Sequence, residues 1–291
     1  DTRGGGWDVG TETKSLYAKL QEMDVRYVYL LMLIVISAPV LKPIGLPLGT
    51  ISTETTRLYQ YINNLPPRSI IVMEADQSPA AAAECQPAMV ANLYHAVSKG
   101  LRVLFFSPRT DAVPFVEAAM KLVLGASSDH PNYGKLYVNL GYIPQGEIGL
   151  AGLASNIFFT TRDAYGNDLR AMEFFKDLPN KNARDWKLII YYGASEADHD
   201  VRQVTDPYGC PTGGGVAAVL VTRMYPYYPD KIIGFQTGLR GAAEYELLVK
   251  RPGEAAAGMD AQSLGHLAIV IMVIIGNIGY YASRKKPSEG E

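Results

Sequence analysis

The sequence has few cysteines and none of the spaced cysteine or histidine motifs that hold structural metals. Its 291 residues include two cysteines and four histidines, with no CxxC and no HxxxH pattern. Structural zinc sites use clustered ligands of these two types. The sequence therefore indicates no metal site.

The phosphate-binding patterns GxGxxG and GxxxxGK[ST] are also absent, and charge of one sign is not in excess. Lysine and arginine number 27 against 29 acidic residues, a formal net charge of -2, which excludes a basic field for nucleic acid. The Gly-rich stretch "TGGG" at 212–215 is interpreted as a tight turn into the next strand. We expect no nucleic-acid partner and no cofactor.

Long apolar runs, in contrast, are present near both ends. The later one, "HLAIVIMVIIGNIGYYASRKK" at 266–286, ends in three cations from Arg284 onward. At ~1.5 Å per residue the apolar part matches the ~30 Å hydrocarbon core of a bilayer. This predicts a transmembrane helix over 264–282. A buried core helix is the alternative, but such helices rarely end in a cationic cluster.

The earlier run, "YVYLLMLIVISAPVLKPIGLPL", covers 27–48. We interpret it as an anchor and not a cleaved signal, because 26 residues of mixed charge precede it and Pro39 follows the small pair Ser37-Ala38. The prediction for 27–48 is a first transmembrane helix that breaks near Pro39 and continues as a Pro-rich collar. Residues 1–26, with apolar side chains at helical spacing, are predicted to be a cytoplasmic N-terminal helix segment.

Cations at the outer flanks of the two runs predict the orientation. Lys14, Lys19 and Arg26 precede the first run, and the Arg284 cluster lies in the tail 283–291. By the positive-inside rule both termini face the cytoplasm of a bacterial inner membrane, and the central domain is periplasmic or extracellular. Lys42 and the pair at 250–251 favour the opposite orientation.

The middle of the chain, 51–256, alternates short apolar runs with amphipathic stretches, which is typical of an α/β fold with a Rossmann-like, mostly parallel sheet. Predicted strands cover 69–76, 101–107, 134–140, 186–193, 216–222 and 231–236, and predicted helices cover 87–98, 113–124 and 167–176. The stretch "VAAVLVTRMY" from 216 could instead be helical. We expect Cys85 and Cys210 to lie at opposite edges of the sheet, too far apart for a disulfide.

Four stretches carry a resemblance: "YVNLGY" (137–142), "YGCPTGGGVAAV" (208–219), "YPYYPDKIIGFQTGLRGAAEYELLV" (225–249) and "AGMDAQSLGHLAIVIMVIIGNIGYY" (257–281). They resemble an uncharacterised group of bacterial membrane-anchored proteins with the same order of parts, from about residue 51 to residue 282. The resemblance implies this architecture and a bacterial origin. It implies no activity and no catalytic residues.

Polar residues follow several predicted strands, where parallel sheets bind ligands. Candidate ligand-binding residues at this edge are Asp76, Ser78, Ser107, Arg109 and Glu196, with Arg109 as a fork for an anionic or hydroxylated ligand. The alternative is that these positions are polar because loops are wet and helices need N-caps. "ASEADHDVRQ" (194–203) is interpreted as a solvated helix start, not as a triad or a metal site, because sequence neighbours do not face each other on a helix.

Two groups of residues are candidate interfaces. Nineteen tyrosines outnumber eight phenylalanines, and prolines stiffen the loop that holds Tyr225, Tyr227 and Tyr228. Stiff amphipathic rings favour a surface that contacts a partner. The alternative is that the loop forms the wall of a pocket. The second group lies inside the predicted membrane helix, where the side-chain amide of Asn277 lies between the small residues Gly276 and Gly279. A buried amide beside small residues favours packing on another helix.

Two functions are consistent with these features. The first is a scaffolding subunit of a bacterial membrane complex, with the lipid bilayer and other subunits as partners. The alternative is a membrane-bound sensor or enzyme that binds a small polar ligand at the carboxyl edge of the sheet. The sequence contains no motif that assigns a reaction.

Overall fold

The computed structural model describes residues 24–196 and 198–284. They form two compact units, one of residues 45–259 and one of residues 24–44 together with 260–284. Most of the predicted N-terminal segment 1–26 and of the tail 283–291 lies outside the described residues.

Residues 45–259 contain one six-stranded sheet. Its strands are β1 (Ile70–Asp76), β2 (Arg102–Ser107), β3 (Tyr137–Tyr142), β4 (Trp186–Gly193), β5 (Thr212–Val216) and β6 (Ile232–Thr237). The spatial order is β3-β2-β1-β4-β5-β6, and every neighbouring pair is parallel. This confirms the predicted Rossmann-like α/β fold. The order of strands reverses between β1 and β4, so the topological switch point lies at their carboxyl ends.

The helices are α1 (Val25–Leu41), α2 (Thr53–Asn64), α3 (Ala82–Ser98), α4 (Val113–Leu124), α5 (Glu147–Ser155), α6 (Gly238–Leu248) and α7 (Glu254–Arg284). A short helical segment covers 198–208 after β4, with a π-helical turn at Val201–Thr205 in its middle. Another short segment covers 218–227 after β5. The predicted helix at 113–124 is thus confirmed.

Helices cover the sheet on both faces. On one face, α2, α3, α4 and α6 bury a core that includes Leu58, Met89 and Tyr245. On the other face, α5 and the loops before β4 bury Leu150, Phe174 and their neighbours. Because both faces are buried, the central strands read as continuous apolar runs, as expected for a parallel sheet.

The Gly-rich stretch 212–215 belongs to strand β5, so its prediction as a turn is wrong. A Cβ at Gly213 would come within 2.8 Å of the Leu58 side chain on α2, and one at Gly215 within 2.8 Å of Ala88 on α3. Glycine is therefore needed for close packing of helices on this strand. The prediction of a strand at 216–222 is also wrong. Residues 218–224 form helical turns, as the alternative interpretation of this stretch expected.

Two helix predictions also need correction. Helix α3 begins at Ala82, so Pro87 lies inside it and not in its first turn. The alanines before Pro87 have the highest helix propensity, which explains the earlier start. The helix predicted at 167–176 is two 3-10 turns, Leu169–Ala171 and Glu173–Phe175, separated by Met172 in an extended conformation.

The two cysteines are free, as predicted, and both are buried. Cys85, in α3, belongs to the core on one face of the sheet, whereas Cys210, just before β5, belongs to the core on the other face. The sheet therefore separates the two thiols.

The unit of residues 24–44 and 260–284 contains α1 and most of α7. Among the described residues, α7 is the one helix long and apolar enough to cross a membrane, and 17% of its most apolar window is buried. The sequence predicted two membrane-spanning helices, and this prediction is wrong for the first of them. Helix α1 has 17 residues and ends two residues after Pro39. Within this unit, a Cβ at Gly265 would lie 3.7 Å from the Ile36 side chain.

The predicted helix contact around Asn277 is not made by α1. Asn277 Nδ2 donates to the carbonyl of Val273 on its own helix at 2.9 Å. No atom lies within 4 Å of a Cβ placed at Gly276, and Gly279 is buried. Contact of this face with a neighbouring subunit stays a prediction.

Gly234 on β6 provides a direct test of how closely α2 packs. A Cβ there would lie 2.4 Å from the carbonyl oxygen of Glu54 and 2.6 Å from the amide of Leu58, both backbone atoms. Gly234→Ala should lower the free energy of unfolding by about 1–3 kcal/mol, because α2 must move away from the sheet. Chemical denaturation in detergent measures this.

Gly265→Ala is the matched control, since its new methyl group meets only ordinary contacts and alanine favours a helix. Equal effects of the two substitutions would contradict the packing described here.

Candidate functional site

The switch point between β1 and β4 carries a group of hydrogen-bonded polar side chains. Asp76 ends β1, and its Oδ2 accepts from the hydroxyl of Tyr191 at 2.7 Å and from the hydroxyl of Ser195 at 2.9 Å. The Tyr191 oxygen also accepts from the backbone amides of Ser195 and Glu196, at 3.3 and 3.2 Å. Tyr191 thus fixes both the carboxylate and the loop after β4.

Strand register explains why these groups meet. Glu74 pairs with Tyr191 and Asp76 pairs with Gly193, so all four positions lie on one face of the sheet. A Cβ at Gly193 would lie 2.4 Å from the Tyr191 oxygen. Glycine at this position therefore leaves room for the Tyr191 ring to lie along the strand toward Asp76.

The other predicted ligand residues have local partners. The Ser107 hydroxyl donates to the carbonyls of Ala75 and Arg109, and the Arg109 guanidinium donates twice to Asp111, at 2.9 and 2.8 Å. Ser78 Oγ accepts from the amide of Ala81 at the start of α3. Of the five, Asp76 and the backbone of Glu196 are the ones that contact Tyr191.

A second polar group lies deeper on the same face of β1. Glu74 is fully buried, and its Oε1 lies 2.9 Å from Nε2 of His199. The same Nε2 lies 3.6 Å from Oδ1 of Asp200. Ligand atoms of these three residues lie within 4.8 Å of one another. The interpretation of 194–203 as a solvated helix start is wrong here, because His199 and Asp200 are buried.

Burial controls the protonation of the two carboxyls. It raises the pKa of the Glu74 carboxyl to about 8. Burial and then the charge of Glu74 raise the pKa of Asp200 well above its usual range. Two carboxylates this close in an apolar interior disfavour each other's charge, so without a cation the pair holds at least one proton at neutral pH.

Ion pairs close the outer side of this cluster. Arg202 donates to both oxygens of Glu147, at 3.1 Å each, and also pairs with Asp198. Gln203 adds a hydrogen bond to Glu147 at 2.8 Å. These contacts tie the helical segment 198–208 to the start of α5. They also engage Arg202, so among the described residues neither Glu74 nor Asp200 has a lysine or arginine partner.

Sequence reasoning missed Tyr191, His199 and Asp200 as site residues. The available signal was Glu74, a charged residue inside the otherwise apolar run "SIIVMEAD" of a central strand, because a buried carboxyl requires buried polar partners. In the tyrosine loop, the rings of Tyr225 and Tyr228 both pack on Phe235, at 5.5 and 5.6 Å between ring centroids, and Tyr225 remains half exposed.

Comparisons of the chain with family models, with curated proteins and with solved structures found no match. The resemblance to a bacterial membrane-anchored group therefore stays a prediction.

The central contact of the switch point is the Tyr191 hydroxyl. Tyr191→Phe removes one donor to Asp76 and leaves two backbone amides without their acceptor. We expect the free energy of unfolding to fall by about 1–3 kcal/mol, measured by chemical denaturation.

Tyr225→Phe removes a hydroxyl from a half-exposed ring and should stay within about 0.5 kcal/mol of the wild type. An equally small effect of Tyr191→Phe would contradict the role assigned to Tyr191.

Proposed function

We propose that the domain binds a small ligand with hydroxyl or amine groups at the switch point. The observation that supports this best is the carboxylate of Asp76, held in place by Tyr191 and Ser195. The hydroxyls of Tyr191 and Ser195 both donate to Oδ2 of Asp76. Within residues 24–196 and 198–284, no hydrogen bond reaches Oδ1 of the same carboxylate. A fixed carboxylate oxygen at the carboxyl end of a parallel strand suits a hydroxyl or ammonium donor.

Charge argues against phosphate as the recognised group. Rossmann-type phosphate sites use a Gly-rich turn and a helix N-terminus after β1, whereas here Asp76 ends the strand and "QSPA" follows it. The guanidinium of Arg109, which the sequence predicted as the fork for an anion, is engaged by Asp111, and that of Arg223 donates to the carbonyl of Ser195 at 2.9 Å. We propose no reaction for this site.

A ligand panel tests the proposal. Wild-type protein in detergent is mixed with adenosine, AMP, glucose or spermidine, and its melting temperature is measured. We expect a hydroxylated or amine compound to raise the melting temperature, and adenosine to act more strongly than AMP because Asp76 repels the phosphate. Asp76→Asn should abolish the rise, because the neutral amide no longer attracts these donors.

Asp129→Asn is the control, because Asp129 is an exposed carboxylate on a surface loop after α4. It should respond as the wild type does. No response to any of the compounds, an equal response of Asp76→Asn, or the strongest response to AMP would contradict the proposal.

We propose, secondly, that the chain is a scaffolding subunit of a bacterial inner-membrane complex, anchored by α7, with the tail after α7 cytoplasmic and the domain on the outer face. Support comes from the apolar length of α7 and from apolar side chains exposed on the domain, with Val219 77% and Tyr225 50% exposed. Bacterial origin is supported by the resemblance alone, and the outside placement by the flanking cations alone.

A membrane-impermeant amine crosslinker on intact spheroplasts tests both parts. The domain carries several exposed lysines, among them Lys121, Lys135 and Lys176, so a defined larger species should form before lysis. A larger species that forms only after lysis contradicts the outside placement. No larger species in either condition contradicts the scaffolding role.

A further inference from the structure

The buried cluster of Glu74, His199 and Asp200 lacks hydrogen-bond partners for most of its oxygens. Both carboxylate oxygens of Asp200 and Oε2 of Glu74 have less than 1 Å² of accessible surface, and when both groups are ionised these oxygens have no hydrogen-bond donor in the part of the chain that the structure describes. The two carboxyls lie close enough to hydrogen-bond to each other when one of them carries a proton. Unpaired buried polar atoms are costly and rare in folded proteins. Three of them in one cluster indicate that a group is missing from it.

We propose that Glu74, His199 and Asp200 bind one divalent transition-metal cation. The site goes beyond the proposed ligand site, since it uses none of the contacts of Asp76. Glu74 comes from the central strand β1, and the other two come from the helical segment after β4. One imidazole and two carboxylates are ligands of this class of ion.

Distances within the cluster fit shared coordination. Ligands at about 2.0–2.2 Å from one ion, at angles between square and tetrahedral, lie about 3.0–3.5 Å from each other. Nε2 of His199 lies 2.9 Å from Oε1 of Glu74 and 3.6 Å from Oδ1 of Asp200. Small side-chain shifts bring all three atoms onto one cation.

Electrostatics also favours a cation. The cluster holds two buried carboxyls, and Asp76 lies two residues along the same face of β1. His199 is their one basic partner among the described residues, since Arg202 pairs with Glu147 and Asp198. A bound divalent ion would compensate both negative charges and the unpaired oxygens at once.

The alternative occupant is a proton shared between Glu74 and Asp200. A shared proton satisfies at most two of the carboxylate oxygens, and it leaves the imidazole 3.6 Å from Asp200 without a bond to it. An imidazole ligand also favours zinc, iron or nickel over magnesium and calcium, which prefer oxygen ligands.

Cobalt(II) alone serves as the probe. The full chain is extracted in detergent, treated with a chelator and dialysed against Co²⁺, and the bound metal is measured by elemental analysis and visible absorption. We expect about one equivalent of Co²⁺ per chain with d–d bands in the visible range. His199→Ala and Asp200→Asn should lose it. His130→Ala and Asp129→Asn, which change the same residue types on a surface loop, should retain it.

Melting temperature shows whether Asp200→Asn merely misfolds. Asparagine has nearly the shape of aspartate and cannot become charged, so the metal-free variant should melt at or above the metal-free wild type. At Zn²⁺ about 100-fold above the dissociation constant, the wild type should gain roughly 5 °C, and the variant should not change.

No retained cobalt in the wild type would overturn the proposal and leave the shared proton as the explanation. Equal retention by wild type and Asp200→Asn would also overturn it, because the metal would then bind elsewhere.

Discussion

The parallel pairing of β1 with β4 is the constraint on which both candidate sites depend. It makes the switch point, and its register places Glu74 beside Tyr191 and Asp76 beside Gly193 on one face of the sheet. The helical segment 198–208 covers that face because it directly follows β4. Polar groups from two distant parts of the sequence thus meet in one place, with the buried cluster around Glu74 and the carboxylate of Asp76 at the end of β1.

Glycines determine how closely the helices pack around this centre. Gly213, Gly215 and Gly234 let α2 and α3 approach β5 and β6, and Gly193 leaves room for the ring of Tyr191. Each glycine weakens the local strand preference but permits a close contact that any side chain would block. The sheet is stabilised by the tight packing that these contacts allow.

Apolar periodicity predicted the fold class, five of the six strands to within a few residues, and helix α4, because a parallel sheet buries continuous apolar runs. It failed at β5, because three glycines in a row give this strand no apolar pattern. It also failed at 167–176, where the buried side chains of Leu169 and Phe174 belong to 3-10 turns and not to an α-helix. Asp76 was found because it ends a predicted strand. His199 and Asp200 were not, since their burial depends on tertiary packing over Glu74, which local spacing does not encode.

We propose that the carboxyls of Glu74 and Asp200 are buried together because they share a cation. The most direct measurement is a crystal structure of protein soaked in Zn²⁺, with anomalous data collected at the zinc edge. Shared coordination predicts one strong anomalous peak about 2.0–2.2 Å from ligand atoms of Glu74, His199 and Asp200. Absence of that peak would contradict the proposal.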